Sequence, residues 1–405
     1  MIRLSKMLIL TGCLAIDPAY SQEVPESFVP VRSNGMGGAF TAISNDENAV
    51  WTNPAGIARV RKARSRSTVH IVKIPNIVVG INTNSQEFID GISESGNEEN
   101  AQGLSSSATD LADKPLWSTL SMFPLMMLDL GSMPSIVGAY SHTKLKAVID
   151  SENTDQARTE AISDVGGVWG LAFTNRTNRL NFGLNLRYVA RYAYEDTLLV
   201  TELQDANTLQ TRIKENSNKS SAFAVDLGFM WTFADFWFPT IGIAVFNAPL
   251  GCKDDYLNPF AKVREKVCGT VFTGDIANPD AVSTIDPTDI RVGISITPRL
   301  SRKIAARLSV GFHHLYIGSG SQNYGLSDIP IQKQTHAGIE FVTGNPLLPS
   351  PFSVSVGYNQ GFYSMGASVR LSFLSLDFAT FGRDISTSET PQEDRRIMAG
   401  LSIDF

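Results

Sequence analysis

Residues able to do chemistry are scarce in this chain. Its 405 residues include three cysteines and five histidines, and only 18% are charged. No HExxH helix, paired CxxC, phosphate-binding loop or GxSxG elbow occurs. Asp275, Asp280, Asp286 and Asp289 lack the spacing of a calcium loop. His313 and His314 are adjacent, so on a strand they point to opposite faces and are expected not to share a metal. We therefore expect no metal, no cofactor and no enzymatic activity. The net charge of −6 comes without a basic stripe, which gives no footing for nucleic acid. Long hydrophobic runs are also missing: beyond the first residues, nothing approaches the ~18 continuous apolar residues of a membrane helix.

The start of the chain reads as a signal peptide over 1–21. Arg3 and Lys6 precede an apolar run from Met7 to Ile16, and small residues at Ala19 and Ser21 place cleavage before Gln22. An alternative is that Leu10-Thr11-Gly12-Cys13 acts as a lipobox with Cys13 lipidated. A secreted chain without membrane helices can still cross a membrane, but only as a closed barrel.

What the chain does have is alternation. In its last ten residues Ile397, Ala399, Leu401, Ile403 and Phe405 share one face; Arg396, Gly400, Ser402 and Asp404 share the other. That period of two is a strand with one apolar and one polar face. Ending on such an aromatic strand suits a barrel whose last strand closes on its first and faces lipid. Upstream, Met365, Ala367, Val369, Leu371 and Phe373 oppose Gly366, Ser368, Arg370 and Ser372; Leu308, Val310 and Phe312 oppose Arg307, Ser309 and Gly311. Continuing to Ser67–Thr83 predicts 14 antiparallel strands, an even number as closure favours.

The joins then sort by length. If the last strand runs inward, one set is short: 131–134, 174–179, 234–239, 298–303, 344–351 and the turn near Phe373. The other is long at 84–117, 145–163, 192–220, 247–289, 317–335 and 382–395, with only 360–364 short. Outer-membrane barrels pair short periplasmic turns with long outside loops. Phe233, Phe236, Trp237 and Phe238 then mark the periplasmic rim as an aromatic girdle. Cys252 and Cys268 fall in the longest outside loop, where a disulfide is the first reading; a metal pair or two free thiols are the alternatives.

The polar faces carry Asn185, Arg187, Arg191, Asp226, Arg291, Arg307, Glu340, Arg370, Asp377 and Arg396 toward the lumen. Opposite charges are expected to meet as Arg187 with Asp226, Arg307 with Glu340 and Arg370 with Asp377. They read as a structural ion-pair lattice or as a path that guides a solute. Pro124 removes a ladder donor and marks either a gap in the wall or a bent strand end.

Residues 22–66 do not alternate. They hold Gly35-Met36-Gly37-Gly38-Ala39, then Asp46 to Ala49 as a helix start or turn, then Asn53-Pro54-Ala55-Gly56. A compact apolar segment ahead of the first strand has no lipid to face and fits a lumen plug. This sequence resembles the N-terminal plug signature of the FadL superfamily of outer-membrane barrels, and its glycine run is closer to the PorV-like branch. The likeness extends to Gly357-Tyr358-Asn359-Gln360-Gly361, Leu376-Asp377-Phe378-Ala379 and the final strand; the middle matches only in strand pattern.

The resemblance implies an all-β fold: a 14-stranded antiparallel transmembrane β-barrel over 67–405 with the plug at 22–66. It implies a bacterial outer-membrane channel passing hydrophobic small molecules or lipid, such as long-chain fatty acids, past the plug and sideways into the membrane lipid. The alternative it carries is a PorV-like scaffold with a permanent plug and secreted or surface protein partners.

Overall fold

The computed structural model describes residues 28–60, 69–94, 109–130, 133–177, 179–200, 202, 207, 210–212, 216–257, 264–275, 285–316, 329–344, 350–371, 373–386 and 391–405. The expected signal segment with Cys13 lies outside them, as do residues 61–66.

Residues 28–60 contain two short helices, α1 (Val31–Gly35) and α2 (Ala49–Thr52), and a 3-10 turn over Pro54–Arg59. Fourteen strands follow and close on themselves. In order they are β1 (Val69–Asn82), β2 in two pieces (Pro115–Met122 and Leu125–Leu130), β3 (Met133–Ile149), β4 (Gln156–Thr174), β5 (Leu180–Leu199), β6 (Asn218–Thr232) and β7 (Thr240–Phe246). Then come β8 (Asp289–Ile296), β9 (Ile304–Tyr316), β10 (Thr335–Thr343), β11 (Phe352–Asn359), β12 (Phe362–Arg370), β13 (Leu374–Asp384) and β14 (Glu393–Asp404). Helix α3 (Thr83–Glu94) follows β1.

Closure is antiparallel between β1 and β14, with Val79 opposite Ala399 and Lys73 opposite Asp404. Phe405 exchanges backbone hydrogen bonds with Val72 at 2.8 and 3.2 Å. The last residue therefore completes the wall and leaves no edge at the seam. Alternation sets the two faces: Val310 is 50% exposed while Arg307, three residues earlier, is 1% exposed. The outward apolar set, including Val137, Trp169, Leu186, Leu227, Val356 and Leu401, forms a band that only lipid can cover. Phe236 and Trp237 stack at 4.8 Å on the rim where Phe405 ends.

Several joins differ from the sequence expectation: the β5–β6 join begins only after Leu199, which pairs with Gln156, and helix α3 occupies part of the β1–β2 join. The β3–β4 join is only 150–155, because the ladder continues to Ile149 opposite Ala157. Alternation there is between polar and small residues, so the sequence pattern faded while the pairing persisted. Part of the β7–β8 join also folds, as a small sheet of Gly251–Leu257, Arg264–Val271 and Ile285–Pro287. Cys252 and Cys268 are register partners in it and are joined by a disulfide. The β11–β12 turn is two residues long, and Gln360 and Gly361 both have positive φ, as a tight right-twisted hairpin needs.

A closed ladder of this kind resists detergent. The purified protein is expected to migrate differently on a gel before and after boiling, and identical migration would count against the barrel.

Candidate functional site

The lumen is occupied by residues 28–60, and bare strand backbone receives them. Gly183 on β5 and Gly228 on β6 face each other in register beneath Asn53-Pro54-Ala55. A Cβ on Gly183 would lie 2.1 Å from the Pro54 carbonyl carbon. Across the barrel, Gly338, Gly357 and Gly366 on β10 to β12 receive Met36, Gly37 and Gly35. Gly37 itself has φ +68, a conformation that glycine adopts without strain. Asn53 fastens the turn: its side-chain amide donates to the Thr41 and Phe229 carbonyls, and its Oδ1 accepts from the Ala55 amide. Of the plug residues named from the sequence, Gly35, Met36, Gly37, Gly38, Asp46, Asn53, Pro54 and Ala55 meet the wall, whereas Gly56 packs on Ser44 within the segment; the strand glycines opposite them were not read as plug contacts. Their signal was an inward position left without a side chain.

A continuous chain of charge, most of it buried, joins plug to wall. Arg307 on β9 donates to Glu340 on β10 at 2.8 Å. Arg32 of α1 takes both oxygens of Glu340, at 2.7 and 2.8 Å, and also Asp46 at 2.7 Å. Arg370 on β12 reaches Asp46 at 3.8 Å and Glu47 at 3.1 Å. Lys73 on β1 joins Glu47 at 2.7 Å to Asp404 on β14 at 2.9 Å. The cations Arg307, Arg32, Arg370 and Lys73 are matched by Glu340, Asp46, Glu47 and Asp404. Burial alone would raise the Glu47 carboxyl, but the Arg370 and Lys73 charges overcome it and hold Glu47 well below the usual carboxylate range.

The expected pair of Arg370 with Asp377 does not form. Arg370 turns instead to the plug carboxylates, because Asp46 and Glu47 enter the lumen beside it; Asp377 lies opposite Ser368. Arg187 does meet Asp226, with hydrogen bonds of 2.7 and 2.8 Å, and Asn185 and the Asn247 amide complete that carboxylate's partners. Arg291 pairs with Asp289 at 2.8 Å, and Arg396 with Asp394 at 2.8 Å. Arg191 bridges Asp164 and Asp286, both at 2.7 Å, which ties the small outer sheet to the wall.

The other side of the plug is mainly apolar, with the Arg187 guanidinium 5.8 Å from the Trp51 ring centre at its border. Trp51 of α2 packs edge-on against Phe28, Phe123 and Tyr140 at centroid distances of 5.5, 5.4 and 5.0 Å. Leu125 and Met127 on β2 and Ile136 on β3 turn inward beside them, with Val50 and Ile57 from the plug. This sector abuts the interruption in β2. Phe123 and Pro124 separate its two pieces, and Pro75 lies across from them on β1. Two ladder donors are missing there. The wall is nonetheless closed: the Phe123 amide donates to the Asn76 carbonyl, and the Asn76 side chain donates back to the Phe123 carbonyl.

The histidines overturn the sequence expectation. His314 has φ +60, which breaks the alternation of β9 and turns its ring to the same side as His313. His313, His314 and His336 are all buried, and their ligand atoms lie within 4.8 Å of one another. A rule based on strict two-residue alternation could not foresee a positive φ at a non-glycine residue.

Two outcomes follow from the charge chain. Glu340→Ala strips Arg32 and Arg307 of their shared carboxylate and should cost about 3–5 kcal/mol, read as a lower urea midpoint of tryptophan fluorescence. Glu47 has a folded value below its ordinary 4.5. Its contribution is therefore complete above about pH 4.5 and is lost as pH falls toward the depressed folded value. Acid titration of the folded protein should show that loss, and Glu47→Gln should remove its share.

No family profile matches the sequence, and no curated protein matches it. Solved structures do match. A monoaromatic hydrocarbon channel, the TodX deltaS2 mutant, has a TM-score of 0.53 at 10% identity, covering 93% of this chain and 98% of that one. The deltaS2S3 mutant of the same channel has a TM-score of 0.52 at 9% identity, with the same coverage. The toluene transporter TodX of Pseudomonas putida has a TM-score of 0.50 at 10% identity, covering 95% and 99%. Over 93–95% of its length, this chain shares the barrel fold of these hydrocarbon channels.

Proposed function

We propose that this protein is a bacterial outer-membrane channel for passive uptake of hydrophobic small molecules, with monoaromatic hydrocarbons and long-chain fatty acids as the candidate classes. The long-loop rim with the disulfide faces outside, and the rim at Phe405 faces the periplasm. The observation that carries this reading is the two-sided lumen. Charge fastens the plug on the side of β9, β10, β12, β14 and β1, whereas aromatic and aliphatic side chains line the side of β2 and β3. An apolar solute loses nothing by leaving water for the Trp51 sector, and gains again by passing into lipid rather than periplasmic water. The solved channels of the same fold are described as conducting monoaromatic hydrocarbons or toluene. The residues assigned to passage are Trp51, Phe28, Phe123 and Tyr140, with the Pro75 and Pro124 level of the wall as the sideways exit. Arg187, Asp226, Arg291, Arg307, Glu340 and Arg370 hold the structure rather than the solute.

The test is uptake of radiolabelled toluene and labelled palmitate by a deletion strain complemented with wild type or Trp51→Ala. Wild type restores uptake, and Trp51→Ala lowers the initial rate roughly tenfold, the effect of ~1.4 kcal/mol of lost aromatic contact. Deletion that leaves both solutes' uptake unchanged, with secreted proteins co-purifying stably, would replace the channel with a scaffold.

A further inference from the structure

We propose that His313, His314 and His336 form a binding site for one divalent transition-metal ion, of the zinc class, at the face of the plug that looks toward the long loops. Three imidazoles converge there from two paired strands, with Gly311 opposite His336 in register and His313 and His314 just beyond. Their nitrogens lie within 4.8 Å of one another. A tetrahedral ion with ligands at ~2.0–2.1 Å brings nitrogens to roughly 3.4 Å, so binding requires the rings to turn inward from their present spacing.

Three features of the surroundings point the same way. First, His336 is already oriented by a backbone carbonyl. Its Nδ1 donates to the Gly37 carbonyl at 2.8 Å, which places the ring's lone pair on Nε2. A carbonyl on the second ring nitrogen is the usual partner of a metal-binding imidazole. His313 has a comparable plug neighbour, with Thr41 Oγ1 3.3 Å from its Nε2. Second, an anchored carboxylate lies beside the cluster. Asp289 Oδ2 is 3.6 Å from His314 Nδ1, while the same carboxylate accepts from the His314 amide and from Arg291. Third, His314 holds a positive φ that costs energy in a non-glycine residue and that brings the third ring to its neighbours. His313 and His336 stack at 4.0 Å with planes 26° apart, so one of the two rings must rotate for both to meet a single ion. Neutral imidazole is the form that ligates metal, and it suits zinc, copper and nickel. Three protein ligands leave a fourth position for water.

Because two of the rings rest on Gly37 and Thr41, the ion would pin the plug to β9 and β10. The test uses untagged protein, folded in detergent, stripped with chelator and titrated with Co²⁺. One ion should bind per chain, with visible d–d bands that Zn²⁺ abolishes by displacement. His314→Gln and His336→Gln should each remove the bands. Thr41→Val should weaken binding about tenfold, the effect of losing an orienting contact. His142→Gln, at a half-buried histidine bonded to Ser121, should change nothing. The boiling-dependent gel shift establishes that each variant is folded. Folded wild type that shows no saturable binding overturns the proposal, as does binding of equal strength in folded His314→Gln.

Discussion

A neutral chain of eight charges, six of them buried, decides how this barrel is filled. Arg307, Glu340, Arg32, Asp46, Arg370, Glu47, Lys73 and Asp404 follow one another at 2.7–3.8 Å, crossing twice from wall to plug and back. Taking any of these charges out of water is expensive, and mutual attraction offsets that cost only when every partner is present. The wall without the plug would hold Arg370 and Lys73 beside no plug carboxylate; the plug without the wall would hold Arg32 with half its partners. Each therefore completes the other, and the position of the plug is fixed more by the penalty for displacement than by the net strength of the pairs.

That constraint bears on how anything could pass. Ejecting the plug means exposing or orphaning several charges at once, whereas the Trp51 sector is held by edge-on ring contacts and aliphatic packing. Aromatic and aliphatic contacts can be exchanged for contacts with an apolar solute at little loss. Passage on the apolar side, with the charged side left intact, is the lower-cost route. The interruption of β2 at Phe123 and Pro124 lies on this same side, so the weakest part of the ladder and the most replaceable packing adjoin.

Much of this was legible in the sequence, because a lipid-facing strand must alternate. Faces such as Leu308, Val310 and Phe312 against Arg307, Ser309 and Gly311 follow from that demand alone. The break at Pro124 was also visible. What alternation could not carry was anything that depends on a third element. Arg370 and Asp377 are close on paired strands, yet the plug carboxylates enter from a distant part of the chain and take the arginine. The glycines of β5, β6 and β10 to β12 are a second case: the plug backbone occupies the space of their missing side chains, which no pattern within one strand reveals.

The histidines show the same limit from the opposite direction. Period-two reasoning is a statement about φ and ψ, and one residue at φ +60 reverses every facing argument that passes through it. His314 makes that reversal where β9 leaves the plug behind and Asp289 accepts its amide. Strand pairing continues on both sides, with Val292 opposite Phe312 and Ile290 opposite Leu315, so the register absorbs the irregularity between them. The ladder thus pays locally for a ring orientation that pairing alone does not require. A wall built only to close would have no reason to place its irregular residue where three imidazoles meet above the glycine run of the plug.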